Sequence, residues 1–198
     1  MFVSFEGLDG SGKTTQAELL RARLEADGNE VLGTREPGGT ELGEAIRELV
    51  LHGGHVVPWA EALLYAAARA QHVEEVIAPA LDRGVAVLCD RYVDSSVAYQ
   101  GVARGLGLQR VLDLNLAAVG GLMPERTFLL LIDPEEVPSR LSGDHDRLER
   151  EDGRFHSCAD AGYRELASRF PERIVALDGS LPSDEIAEEV YGALLHRP

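Results

Sequence analysis

An α/β fold with a parallel sheet covered on both faces is predicted by three features. Short, continuously apolar runs alternate with segments of helical periodicity; turn-forming clusters separate them; and no internal repeat or low-complexity tract interrupts the alternation. Phe2–Glu6 reads as a buried strand, ended by a glycine-rich turn over residues 7–12. Beyond it Ala17, Leu20 and Leu24 recur at helical spacing, with Glu18, Arg21 and Glu25 off that stripe, and Gly28 stops the helix. A second strand over 30–34 leads into the turn Arg35-Glu36-Pro37-Gly38-Gly39-Thr40. Residues 42–51 read as helix, and Pro58 opens a longer one running towards Pro79. A third strand over 85–89 ends at Asp90, followed by helix around 95–101 and 108–119. The fourth strand, 127–132, ends at Asp133; a charged stretch then runs to about Asp152. Helix near 159–170, a fifth strand at 173–177 and a last helix from Ser183 complete the chain.

At 198 residues and 44% apolar content, one domain over 1–198 is expected, with room for a small mobile insertion. No apolar run approaches the roughly 20 residues that span a bilayer, and no leader pattern opens the sequence. Cys89 and Cys158 are too few for a disulfide framework and lack metal-ligand spacing, so reduced thiols in a cytoplasmic protein are expected. The net charge of −15 argues against nucleic acid or an acidic membrane as partner. It does not exclude a small phosphorylated ligand, which needs only local positive potential. Of the 19 cationic residues all but Lys13 are arginine, so an ammonium was retained at that one position.

Gly7-x-x-x-x-Gly12-Lys13-Thr14 fits the P-loop pattern between a strand and a helix. Glycines there allow the backbone to wrap a phosphate chain, and N–H groups at the helix start supply positive potential. Lys13 adds a charge able to follow the transferring group, and the Thr14 hydroxyl suits Mg²⁺. The guanine-reading Asn-Lys-x-Asp element of GTPase switches is impossible, because no lysine follows Lys13. The expected fold is therefore a P-loop NTPase-type parallel five-stranded sheet flanked by helices.

Several longer matches then converge. Phe5-Glu6-Gly7-Leu8-Asp9-Gly10-Ser11-Gly12-Lys13-Thr14-Thr15-Gln16, Arg35-Glu36-Pro37-Gly38-Gly39-Thr40 and Asp90-Arg91-Tyr92 with Ser95-Ser96 and Ala98-Tyr99-Gln100-Gly101 resemble the thymidylate kinase family. So do the stretches 63–72 and Asp146-Arg147-Leu148-Glu149, in the same order along nearly the whole chain. The resemblance implies transfer of a phosphoryl group from ATP to dTMP, with Mg²⁺, in a homodimer formed through an apolar face of residues 59–80. On that basis Gly7, Leu8, Asp9, Gly10, Ser11, Gly12, Lys13, Thr14, Thr15 and Leu181 would meet ATP. Asp9, Arg35, Tyr65, Arg69, Arg91, Ser96 and Tyr99 would meet dTMP, with Tyr65 on the thymine face where the family more often has Phe. Arg69 would donate to a thymine carbonyl, Arg91 would grip the 5′-phosphate, and Thr14 with Asp90 would order Mg²⁺.

Transfer to a phosphate oxygen needs no general base, only in-line positioning and charge neutralisation. Lys13 and Asp9 are the P-loop candidates for this. The resemblance further implies an arginine carried either in the P-loop or in a mobile lid. Residues 8–11 hold none, so the lid at about 138–150, with Arg140, Arg147 and Arg150, is expected to supply it, Arg147 first and Arg140 second. Here the chain departs from the family pattern, because Asp144, His145 and Asp146 interrupt the basic run. His52, His55, His72, His145, His156 and His196 read as structural or solvated. A related deoxynucleoside or nucleoside monophosphate kinase is the alternative enzyme, and a non-catalytic nucleotide-binding module the alternative of another class.

Overall fold

A computed structural model describes residues 1–140 and 145–195 of the chain. Asp144 of the expected lid and His196 lie outside the described residues. The sheet is built on β1 (Phe2–Glu6), buried at every position. The chain continues through α1 (Lys13–Ala26), β2 (Val31–Arg35) and α2 (Glu41–Arg47), the last extended by a π-helical turn over Glu48–His52. Next come α3 (Pro58–His72), a second π-helical turn (Val73–Ile77), α4 (Ala78–Asp82) and β3 (Ala86–Asp90). After β3 a short α5 (Val93–Ser96) passes into a π-helical segment, Val97–Ala103, and then α6 (Leu108–Ala118) and β4 (Arg126–Leu131). A 3-10 turn (Pro134–Glu136) precedes α7 (Val137–Arg140); α8 (Gly153–Arg169), β5 (Ile174–Asp178) and α9 (Ser183–Leu195) finish the fold.

All pairings are parallel, in the order β2-β3-β1-β4-β5. Parallel strands need helical crossovers, so both faces are covered and alternate residues feed two separate cores. On one face Phe2, Val87, Cys89 and Leu129 join α3, α6 and α8. On the other Val3, Phe5, Leu88, Phe128 and Leu130 meet Leu20 and Leu24 of α1 and Ile186 and Val190 of α9. Sequentially adjacent strands β1 and β2 are not neighbours; β3 lies between them. The ends of β1 and β3 therefore open side by side at the carboxyl edge, the usual ligand position in such sheets.

Helix α3 divides cleanly. Glu61, Ala62, Tyr65, Ala66, Ala68 and Arg69 are buried, while Leu63 is 53% exposed and Ala67 is exposed as well. Of the apolar positions Ala60, Leu63, Leu64 and Ala67, Leu63 and Ala67 thus face away from the core, whereas Ala60 is half-buried and Leu64 packs against the core.

Helix α8 packs closely on the π-helical segment 97–103, and Gly162 is the point of nearest approach. A Cβ added there would lie 3.0 Å from both Ala98 Cα and Val102 Cγ2. Gly162→Val should destabilise the protein by about 2 kcal/mol or more through overpacking, seen as a lower urea midpoint with an unchanged m-value.

Candidate active site

The turn after β1 is forced into a tight cradle. Gly7 has φ +136°, and a Cβ there would sit 2.3 Å from Leu130 O of the adjacent strand, so no side chain fits. Gly12, at φ 94°, is the N-cap of α1 and turns the loop's N–H groups towards the helix start. Leu8 and Ser11 are buried beneath the loop, so they offer backbone rather than side chain, and Ser11 Oγ has no hydrogen-bond partner among the described residues. Gly10, Lys13, Thr14 and Thr15 line the open cleft above, together with Asp90 and Arg35. Lys13 Nζ donates to Leu8 O (2.8 Å). Burial, and then the Arg91 charge, lower its pKa to about 8. Thr14 Oγ donates to Asp90 Oδ2 at 2.6 Å, which brings the two expected metal-binding residues together on the open side of the cradle.

A second cavity opens beside the first and contains Asp9, Tyr65, Arg69, Arg91, Ser96 and Tyr99, the residues expected to meet dTMP apart from Arg35. Arg91 follows β3 with φ 68°, the one described non-glycine residue in the left-handed region. Its Nη2 meets Asp9 Oδ1 at 2.5 Å, and Tyr99 OH donates to Asp9 Oδ2 at 3.2 Å. Burial alone would raise the Asp9 pKa, but the charges of Arg91 and Lys13 outweigh it and hold the carboxyl at about 2. Arg35 instead belongs to the donor cleft, where it makes a bidentate pair with Glu44 at 3.0 Å on each arm.

Arg69 lines the second cavity but is already bonded on most sides. It is buried, and its Nε donates to Glu36 Oε2 (2.5 Å), Nη1 to Ser96 Oγ (3.0 Å) and Asn115 Oδ1, and Nη2 to Tyr92 O (3.0 Å). A guanidinium has five N–H donors, so Arg69 can offer at most one to a base. Its main task here is to tie β3's exit, α6 and the Glu36 turn together. Glu36 also accepts from His72 Nδ1 (2.9 Å), whose Nε2 meets Thr34 Oγ at 2.7 Å, so His72 is structural as expected. Glu36, His72 and Cys89 are the described trio of metal-ligand types within 4.8 Å of one another, but all are buried and Glu36 is already held by Arg69 and His72.

The two lid arginines separate in space. Arg147 turns away from the cradle: its Nη2 lies 2.6 Å from Oε2 of fully buried Glu61, and its Nε donates to Val50 O (2.8 Å). The order Arg147 before Arg140 is not what the geometry favours. Arg140 covers the P-loop, since a Cβ on Gly10 would come within 2.8 Å of Arg140 Cβ. Its guanidinium bonds Glu136 (2.7 Å) and Gly179 O (3.2 Å). Leu181 is half-exposed on that same turn after β5 and lines neither cavity.

Sequence reasoning missed three contributors. Arg47, one helical turn beyond Gly43 on α2, donates to Pro37 O (3.0 Å) and lines both cavities. No carboxylate lies within salt-bridge distance of it among the described residues, unlike Arg91 with Asp9. Its only sequence signal was its place on the inner face of α2 behind the Arg35–Thr40 turn. Tyr163 and Glu6, which support Arg91, meet across the whole chain and left no local signal. Gln100, within the family-like Ala98–Gly101 stretch, also lines the second cavity and donates to Glu61 Oε1 at 2.8 Å.

Kinases of the P-loop class that act on phosphorylated acceptors divide their work this way, with a glycine cradle for the donor beside an arginine-walled acceptor pocket, and the fold and paired cavities put the chain in that class. Comparison with known proteins narrows it. The thymidylate kinase family model matches residues 5–190. The chain is 51% identical over 194 residues to the thymidylate kinase of Clavibacter michiganensis subsp. michiganensis, covering 96% of this chain and 92% of that protein. It is 48% identical over 199 residues to that of a Synechococcus species (100% and 96% covered) and 47% identical over 200 residues to that of Deinococcus radiodurans (100% and 97%). The chain belongs to the thymidylate kinase family.

Arg147→Met would leave buried Glu61 with Arg104 as its remaining cationic partner and should cost about 1–3 kcal/mol, a Tm drop of a few degrees. Arg140→Met should leave the Tm nearly unchanged and lower turnover at least about tenfold. Thermal denaturation and steady-state rates on both variants check the pair.

Proposed function

We propose that the chain transfers the γ-phosphoryl group of ATP to dTMP, giving dTDP and ADP, with the donor in the glycine cradle and the acceptor in the neighbouring cavity. The observation that carries this assignment is the shared wall: Asp9, Glu36, Arg47, Arg91 and Glu149 line both cavities, with Arg47 and Arg91 its cationic members. A triphosphate entering from one side and a monophosphate from the other would meet at these residues.

The cradle's N–H groups and Lys13 hold the β- and γ-phosphates, and Arg91 and Arg47 take the dTMP phosphate. Tyr65 and Tyr99 enclose the nucleoside, and Arg69 with Ser96 forms the polar wall behind it. Asp9 holds Arg91 against the cradle and, ionised at any working pH, keeps that guanidinium from straying. The acceptor oxygen of dTMP already carries negative charge, so no base is needed and the residues' work is alignment and neutralisation. Thr14 and Asp90 offer a hydroxyl and a carboxylate at the cradle's open side, a donor set suited to a hard cation that keeps several waters. Mg²⁺ bound there would neutralise phosphate charge. Arg140, over Gly10, is placed ahead of Arg147 as the further arginine for the transferring group.

The exposed Leu63 and Ala67 on α3 are in keeping with a homodimer through this helix. No helix among the described residues is long and apolar enough to cross a membrane, and the two unpaired cysteines are in keeping with a cytoplasmic enzyme.

A coupled ADP-release assay with dTMP and thymidine as rival acceptors tests the reaction. Rapid, dTMP-dependent ADP formation is expected, and transfer to thymidine alone would overturn it. Lys13→Ala should lower turnover by about three orders of magnitude or more with its unfolding transition retained; ordinary turnover would refute the cradle's role. Leu63→Glu should shift the sedimentation profile towards monomer, and an unchanged profile would remove α3 from the interface.

A further inference from the structure

Glu6 ends β1 and is completely buried, yet it lines neither cavity. Its contacts all converge on Arg91. Oε1 accepts the backbone N–H of Tyr92, the next residue, at 2.7 Å. Oε2 accepts from Ser95 Oγ at 2.5 Å and from Tyr163 OH, which reaches across from α8, at 3.2 Å. These same two hydroxyls receive Arg91 Nη1 at 3.1 and 3.2 Å.

Direction matters in this relay. An ionised carboxylate only accepts hydrogen bonds. It therefore draws the Ser95 proton to itself, with Tyr163 donating to Glu6 or to Ser95 (2.8 Å away), and leaves hydroxyl lone pairs facing the guanidinium. The backbone is held by the same group. Arg91 sits at φ 68°, a conformation disfavoured for any residue with a Cβ, which persists only where its surroundings fix it. The Arg91 N–H bond to Phe5 O (2.9 Å) anchors one side of that turn and the Tyr92 N–H bond to Glu6 anchors the other. Burial, followed by the charge of nearby Asp94, pushes the Glu6 pKa up to about 7, so the ionised, accept-only form of this relay predominates above neutral pH.

We propose that Glu6 is a positioning residue for acceptor recognition: it locks both the strained backbone and the guanidinium of Arg91 in the orientation that receives the acceptor's phosphate. This rests on the assignment of Arg91 to the dTMP phosphate. Glu6 itself touches no substrate, and it acts through Ser95, Tyr163 and the Tyr92 amide.

The test measures dTMP, thymidine and ATP binding by calorimetry on the full chain for Glu6→Gln, Arg91→Met and the double variant. Glu6→Gln should weaken dTMP at least about tenfold while thymidine, which lacks the phosphate, and ATP change less than about twofold. In the Arg91→Met background the Glu6 substitution should add almost nothing to the loss for dTMP. Should Glu6→Gln fold poorly, Ser95→Ala with Tyr163→Phe severs the relay while keeping the carboxylate, and the same dTMP-selective loss is expected. Equal losses for dTMP and thymidine, or additive losses in the double variant, would overturn the proposal. Unchanged dTMP affinity in Arg91→Met would instead overturn the phosphate assignment, and this proposal with it.

Discussion

The site depends on one pairing, the parallel ladder between β1 and β3. Its register sets Phe5 opposite Asp90, and the next rung is the Arg91 N–H bond to Phe5 O at 2.9 Å. Two turns far apart in sequence, the glycine cradle and the Asp90–Arg91 corner, are thereby forced to leave the sheet at the same edge. Had β2 paired with β1, as simple succession suggests, Asp90 could not reach Thr14 and Arg91 could not reach Asp9. Insertion of β3 between them creates the crevice, and all else in the site hangs on strand ends facing it.

A chain of net charge −15 must still gather positive potential where phosphates bind. It does so with arginines whose planar forks are spread over several partners. Arg69 is bonded to Glu36, Ser96, Asn115 and Tyr92, and Arg91 to Asp9, Gly7, Ser95 and Tyr163. A lysine cannot hold such a spread in one plane. At position 13 the demand is reversed: a compact charge on a long stem, free to move along the loop, suits a transferring group better than a fixed fork.

Much of the scaffold was legible because strands of a buried parallel sheet are continuous apolar runs. β1 matched its expected span, and the other four strands fell within one residue of theirs. Helix α8 was read too late, from 159 instead of Gly153, because its first turn carries a single apolar side chain, Phe155, and the Asp152 cap on Phe155 N–H (2.9 Å), rather than apolar spacing, starts it. The cradle was legible since Gly7, Gly12 and Lys13 owe their identity to local backbone geometry. The buried partners of Arg69 and Arg147 were not legible, for the opposite reason. These partners, Glu36 and Asn115 for one and Glu61 for the other, are set by tertiary contact. Nothing within a few residues of either arginine announces a buried carboxylate waiting for it.

Those carboxylates share a logic. Glu6 stands behind Arg91, Glu36 behind Arg69, and Glu61 behind Arg104 and Arg147, and all three acids are buried while their arginines lie at or near the cavities. A lone buried carboxylate is strongly unfavourable, and an arginine near a phosphate-binding cleft without a partner is free to rotate. For Glu36 and Glu61 direct pairing solves both problems, since the acid is neutralised and the guanidinium is fixed before any nucleotide arrives. Glu6 instead reaches Arg91 through Ser95 and Tyr163. Arg47 is the contrast that sharpens the point. Lacking any carboxylate within salt-bridge distance among the described residues and tethered only by Pro37 O, it retains most of its hydrogen-bonding capacity for whatever enters. The site thus combines arginines fixed in advance, which define shape, with one left uncommitted, which can adjust to an incoming phosphate.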